Sequence, residues 1–247
     1  MRKRLIPILQ LQGRKLVKTK CLKEPMYIGD PINACRIFSE KNASEILICN
    51  IKASKDRVID FFHLEEICEE SFVPLAYIGG VTKLKDFDDL FSLGFEKVGV
   101  DQLLFTDPDV VKSAVEKYGS SSIMGSVTVQ KTRFRGTYFV KPANNVDVKL
   151  EINEALDIAR SVGCGEFLIH ASYNEGCYSG LDFKFLGQLP SWLSSYPVTY
   201  TGGIGCDQDI SDVFDSRIFT GVGLGSLCVF SGKRSGILIR YPQYNVS

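Results

Sequence analysis

Tyr77-Ile-Gly-Gly80 returns later in the chain as Tyr200-Thr-Gly-Gly203, and its surroundings return with it. Ala34, Ile37, Glu45, Leu47 and Ile48 recur as Ala155, Ile158, Glu166, Leu168 and Ile169, and Val98-Gly99 recurs as Val222-Gly223, at offsets of about 121–124 residues. A drift of a few residues is what loop insertions produce. Solenoid units repeat every ~20–50 residues, so a period this long marks a duplicated half-domain.

Outward from the repeat, each half alternates apolar runs with helical patterns. The first half has runs at Leu5–Leu9, Glu45–Ile51, Pro74–Gly79 and Lys97–Asp101, with helical stretches at Ile32–Phe38, Val58–Cys68, Leu84–Leu93 and Asp109–Tyr118. The second half has runs at Ile123–Thr128, Glu166–His170, Pro197–Thr201 and Phe219–Gly225, with a helix at Ile152–Val162. Apolar runs separated by helices predict parallel strands buried on both faces. An open doubly wound sheet permits the same alternation. The two-fold repeat, and the absence of a GxGxxG turn after the first strand, favour one α/β domain over residues 1–247, a (β/α)8 TIM barrel built from two duplicated half-barrels.

Composition narrows the function. Hydrophobic residues at 45% supply one large core, and 29 basic against 29 acidic residues leave no electrostatic footprint for nucleic acid or an anionic membrane. No apolar stretch has the length of a membrane span, and Met1-Arg-Lys-Arg4 lacks the apolar core of a signal peptide. The eight cysteines form no CxxC pair, several within predicted strands or helices, a reducing, cytoplasmic pattern. With His63 and His170 the only histidines, a histidine-rich metal site is excluded; no metal or cofactor is expected.

Barrel chemistry sits where strands end. Gly79-Gly80 follows the third strand, Gly202-Gly203 the seventh, and Gly223-Leu-Gly225-Ser226 the eighth, ahead of a predicted helical turn. Glycine at such ends lets backbone N–H groups approach a phosphate, and a following helix start favours the anion. Because the motif occurs in both halves, a ligand with two phosphates across the mouth is expected.

The whole chain resembles the cyclase subunit of imidazole glycerol phosphate synthase, a barrel that receives ammonia from a class I glutaminase. The matching stretches are Lys3-Arg-Leu-Ile-Pro-Ile-Leu9, Gly29-Asp-Pro31, Glu45-Ile-Leu47, Glu96-Lys-Val98, Gly165-Glu166, Ser179-Gly-Leu-Asp182 and Pro197-Val198 leading to Thr201-Gly-Gly203. Tyr27-Ile-Gly-Asp-Pro-Ile-Asn-Ala34 with Arg36-Ile-Phe38 looks closer to the branch associated with amidation of bacterial surface-polysaccharide sugars.

The resemblance implies an Asp at the end of the first strand and another at the end of the fifth for acid–base chemistry. This chain has Gln10 and Thr128 there. Neither a carboxamide nor a threonine hydroxyl titrates usefully at neutral pH. A shifted alignment does not restore the acids: the first carboxylate in the chain is Glu24, and Gly119 through Val146 contains none. At the opposite face, Arg4, Glu45, Lys97 and Glu166 each precede a strand run. They match the family's charged ring that gates ammonia entry, and Glu96 matches an acidic contact to the glutaminase. Around the mouth the resemblance adds Asp101, Gln102 and Gly176 to the phosphate-binding positions. Lys18, Asn50, Asp101, His170, Glu175 and Cys177 leave some chemistry open there, although no sequence feature lowers the thiol pKa of Cys177.

The expected function is an ammonia-receiving subunit of a glutamine amidotransferase complex, holding a phosphorylated small molecule and passing ammonia to a different acceptor or to a third, sugar-amidating protein. The alternatives are a genuine cyclase in which Asp101 or Glu175 takes over the acid–base roles, and a non-catalytic scaffold that binds a phosphorylated ligand and signals to the glutaminase.

Overall fold

Apolar runs flanked by glycine and charged residues become eight parallel strands: β1 (Arg4–Gln12), β2 (Ile46–Asn50), β3 (Leu75–Ile78), β4 (Lys97–Val100), β5 (Ile123–Lys131), β6 (Glu166–Ala171), β7 (Val198–Thr201) and β8 (Gly221–Leu224). The computed structural model describes residues 2–21, 23–132, 136–142, 149–231 and 236–242, so Met1 of the N-terminal motif lies outside them. Each strand pairs with the next, and β8 pairs back onto β1 with Arg4 opposite Gly221 and Leu5 opposite Val222. That last pairing closes the sheet into a (β/α)8 barrel and removes both edges.

Between the strands, helices take their starts from short polar side chains. Asp30 accepts hydrogen bonds from the Ile32 and Asn33 amides ahead of helix Pro31–Glu40, whose first residue is a proline that lacks the N–H left unpaired there. In the first half the Asp86 carboxylate reaches back to the amides of Thr82 and Lys83 at 2.8 and 3.2 Å; in the second, Asp209 does the same for Gly205 and Cys206 at 2.7 and 3.1 Å. The duplication thus extends to the caps.

It extends also to the glycine turns. Gly79 and Gly202 have φ of 132° and 113°. A methyl group on either would collide with a carbonyl oxygen of the neighbouring strand end, Asn50 in one half and Ala171 in the other. Both turns therefore require glycine on two counts: backbone angle and clearance.

Some elements differ from the sequence-based expectation. The helix expected at Val58–Cys68 starts later, as Phe61–Glu69 behind the Asp60 cap, and an unexpected short helix, Ile51–Asp56, follows β2 directly before Arg57 turns the chain at φ 59°. Val58 is exposed outside both helices. An antiparallel hairpin, Lys15–Lys20 with Lys23–Gly29, rises from the end of β1, and Tyr138–Val140 pairs antiparallel with the end of β5. Between β6 and β7 only the short helix Phe183–Leu186 and the 3-10 segments Ser172–Asn174 and Ser191–Ser195 intervene among the described residues. There Trp192 and Tyr196 stack edge-on against Phe167 at 5.5 and 5.2 Å, and the Arg160 guanidinium lies 4.7 Å from the Trp192 ring, covering β6 where a longer helix would lie. Among the described residues no helix is long and apolar enough to cross a membrane.

Gly202→Ala and Gly79→Ala are each expected to lower unfolding free energy by about 1–3 kcal/mol, read from urea midpoints. Gly29→Ala, at a position with open space around it and no positive φ, should be near neutral.

Candidate active site

At the strand starts, where sequence puts one charge before each of four apolar runs, the side chains turn inward and close a ring. Arg4 contacts Glu45 at 2.7 Å and Glu166 at 2.6 Å; Lys97 contacts Glu45 at 2.8 Å and Glu166 at 2.9 Å. Every charge therefore touches two of opposite sign. Burial disfavours the Arg4 cation, but the two carboxylates outweigh it and hold its pKa above the ordinary value. Glu96, beside Lys97, is exposed on the same face.

Above the ring the barrel axis is apolar. Ile6, Ile8, Leu47, Ala76, Ile78, Met124 and Leu168 form a core cluster separate from the one beneath the helices. Thr199 adds a buried hydroxyl without a hydrogen-bond partner among the described residues, lying over Gly221 where no side chain competes for the space.

The lumen opens upward into a cavity of about 490 Å³, floored by Ile8, Leu47, Ile78 and Leu168. Gln10, Lys18, Asp101, Thr128, His170 and Glu175 all line it, as do Gly176, Gly202, Gly203, Gly225 and Ser226. The other glycine turn is elsewhere: Gly79, Gly80 and Gln102 border a narrow crevice that adjoins the large cavity at Ser54, Ile78 and Asp101. Gly80 packs beneath the helix that follows β2, where an added Cβ would stand 2.7 Å from the Ala53 carbonyl oxygen. Asn50 serves that same helix as its cap, accepting from the Ala53 amide at 2.9 Å. After β8, the expected helical turn is a single 3-10 turn, Ser226–Cys228.

Gln10 and Thr128 each meet a carboxylate from another strand end. Gln10 donates through Nε2 to Glu175, while its Oε1 accepts from the Thr19 amide at 3.3 Å; Thr19 Oγ1 also donates to Glu175 at 3.0 Å. Across the mouth, the Thr128 hydroxyl donates to Asp101 at 3.1 Å. Lys18 reaches in from the hairpin, donates to the Ile8 carbonyl at 2.8 Å, and ends 3.3 Å from where a Cβ on Gly225 would lie. Burial pushes the Lys18 amine below its ordinary value, opposed by Glu175. Burial likewise holds His170 neutral, lowering it below 6.5 against the pull of Glu175 and with help from Lys18. The Cys49 thiol, which lines the same cavity, is pushed up to about 12, mainly by burial.

Sequence reasoning missed Thr19, Lys52, Lys55 and Tyr178, all of which line the cavity. Lys52 and Lys55 sit on the short helix after β2, which no hydrophobic period announced. Among the described residues no group of three His, Cys, Asp or Glu side chains is placed to hold a metal ion.

Comparison with known proteins agrees with this architecture. Residues 4–233 match the model of a family described as histidine biosynthesis protein. The chain is 35% identical to a Pseudomonas aeruginosa protein provisionally named imidazole glycerol phosphate synthase subunit hisF2, over 99% of this chain and 98% of the relative. It is 32% identical to a Vibrio vulnificus protein provisionally named subunit hisF3, over 98% and 94%. Identity to the imidazole glycerol phosphate synthase subunit HisF of Streptococcus sanguinis is 25%, over 92% and 90%. The chain belongs to the HisF-like cyclase-subunit family of imidazole glycerol phosphate synthase.

The His170 imidazole should titrate below 6.5, measured by NMR. Its folded state then binds fewer protons than the unfolded chain, so its contribution to stability is complete above 6.5 and falls as pH drops through the folded midpoint. His170→Asn should flatten that segment of the stability profile.

Proposed function

We propose that this HisF-like barrel is the ammonia-receiving subunit of a glutamine amidotransferase complex, with a class I glutaminase docked at the face that carries Arg4, Glu45, Lys97, Glu166 and Glu96. The observation that carries the reading is the closed ring of four ion pairs beneath an apolar lumen. Neutral ammonia crosses such a lumen at little cost, whereas ammonium would lose its hydration and leave a bare charge. The mouth holds a phosphorylated small molecule through the N–H groups of Gly203, Gly225 and Ser226, with Lys18 as the countercharge. The crevice at Gly79, Gly80 and Gln102 is the proposed second phosphate position.

We assign the acceptor to the surface-polysaccharide branch: ammonia amidates a sugar, directly or on a third protein. Gln10 and Thr128 stand where the family resemblance calls for acids, which argues against the parent cyclisation. Higher identity to the hisF2 and hisF3 relatives, 35% and 32%, than to the streptococcal HisF, 25%, also supports a divergent branch.

A second reading has its own observation. Glu175 and Asp101 each hydrogen-bond the residue that replaces an acid. A carboxylate offset by one side chain can still move a proton to a ligand in the same cavity. In that reading the barrel retains cyclisation, with Glu175 and Asp101 as the acid–base pair.

The isolated barrel, given an ammonium salt and the histidine-pathway nucleotide, should yield no imidazole glycerol phosphate at a useful rate. If product accumulates instead, and Glu175→Gln removes about 10²–10⁴-fold of the rate, the second reading holds. With a glutaminase bound, Lys97→Ala should raise glutamine consumed per amidated product several-fold, because an opened ring loses ammonia to solvent. An unchanged ratio with the complex intact rejects the conduit.

A further inference from the structure

Two segments meet over the cavity mouth, the tip of the hairpin after β1 and the loop after β6. The Cys21 amide donates to the Glu175 carbonyl at 2.9 Å, and the Cys21 thiol contacts the Tyr173 carbonyl at 3.3 Å. Gly176 allows this approach, since a Cβ there would stand 2.9 Å from the Thr19 carbonyl oxygen. Cys21 itself holds φ of 49°, a left-handed conformation that few residues other than glycine and asparagine adopt, so its position is fixed by the contacts around it. Within this junction Cys21 Sγ and Cys177 Sγ lie 3.5 Å apart, both thiols free and neither residue fully buried.

A disulfide needs its sulfurs at ~2.0 Å, so closure requires about 1.5 Å of approach from the 3.5 Å contact. Burial and the neighbouring Cys177 push the Cys21 thiol above its ordinary value, as burial does the thiols of Cys49 and Cys68, so proximity is what sets the pair apart. Cys35, Cys164 and Cys228 are buried, and Cys206 is exposed at the start of the helix after β7. Only Cys21 joins Cys177 in a thiol–thiol contact among the hydrogen bonds of the described residues.

We infer that Cys21 and Cys177 are a redox modification site, a vicinal dithiol that small-molecule disulfides of the glutathione type convert to a cross-link clamping the hairpin onto the β6 loop. In the exchange, one cysteine thiolate attacks the glutathione disulfide and releases one glutathione thiolate. The second cysteine then attacks the mixed disulfide and releases the other. One protein S–S bond forms, two S–H protons are lost, and the two electrons reduce the glutathione disulfide to two thiols. Glutathione in its reduced form reverses both steps. The bond ties the hairpin to the residue two beyond Glu175, whose carbonyl already accepts from the Cys21 amide, so it holds the Glu175 carboxylate beside Gln10 and Thr19.

The full chain is incubated with oxidised glutathione, its free thiols are alkylated, and proteolytic peptides are mapped by mass. A Cys21–Cys177 cross-linked peptide should dominate, lighter by two hydrogens than the sum of its parts and lost on adding reduced glutathione. Amide exchange across residues 15–29 should slow several-fold in the oxidised wild type, but not in oxidised Cys177→Ser. Cys206→Ser should leave the cross-link unaffected. Persistent free thiols, separate glutathione adducts on Cys21 and Cys177, or cross-linking without slowed exchange in the hairpin would each overturn the inference.

Discussion

Four charges at the starts of β-strands, two positive and two negative, constrain the rest of this barrel. Arg4, Glu45, Lys97 and Glu166 meet only if four strand starts stand at one height around the axis. Removing one charge from such a group leaves an opposite charge desolvated without its partner, which costs more than the pair contributes. The ring therefore ties sheet register to electrostatics: a slip of one residue would turn these side chains away from the axis. It also sets a chemical boundary. Below it lies exposed, charged surface including Glu96; above it lies a lumen of aliphatic side chains, and only at the mouth do polar groups return.

The mouth carries carboxylates, but they arrive from strand ends other than those the family resemblance calls for. Glu175 comes from the loop after β6 to Gln10 on β1, and Asp101 from the end of β4 to Thr128 on β5. Gln10 is held by this arrangement, donating to Glu175 and accepting from Thr19, so it orients the carboxylate rather than competing with it. A neutral His170 and a buried Lys18 complete the site, with the lysine amine set close to the eighth-strand turn.

The barrel was legible because duplication writes each strand twice. Glu45 through Ile48 and its counterpart at Glu166, or the two tyrosine–glycine turns, identify equivalent positions that one copy alone would leave ambiguous. The same duplication hid a difference. Gly79-Gly80 and Gly202-Gly203 read alike, yet the helix Ile51–Asp56 packs over the first turn while the second faces the open cavity. What covers a turn is set by tertiary contact, and a short helix without amphipathic period gives no warning. The hairpin formed by Lys15–Lys20 and Lys23–Gly29 escaped for a related reason: most of its second strand is exposed on both faces and lacks alternation, and it is held by pairing with the first and by contacts at the mouth. The carboxylate partners of Gln10 and Thr128, far apart in sequence, belong to the same class.

The aromatic patch that replaces a long helix between β6 and β7 has an optical consequence. Trp192 is the only tryptophan in the chain, and it rests on Phe167, the residue next to Glu166 of the charged ring. Indole emission from the native protein thus originates beside the strand starts, far from the cavity mouth, with the Arg160 guanidinium over its ring as a nearby charge. The barrel carries its own fluorophore at the face proposed for the glutaminase, so events there are observable without any attached label.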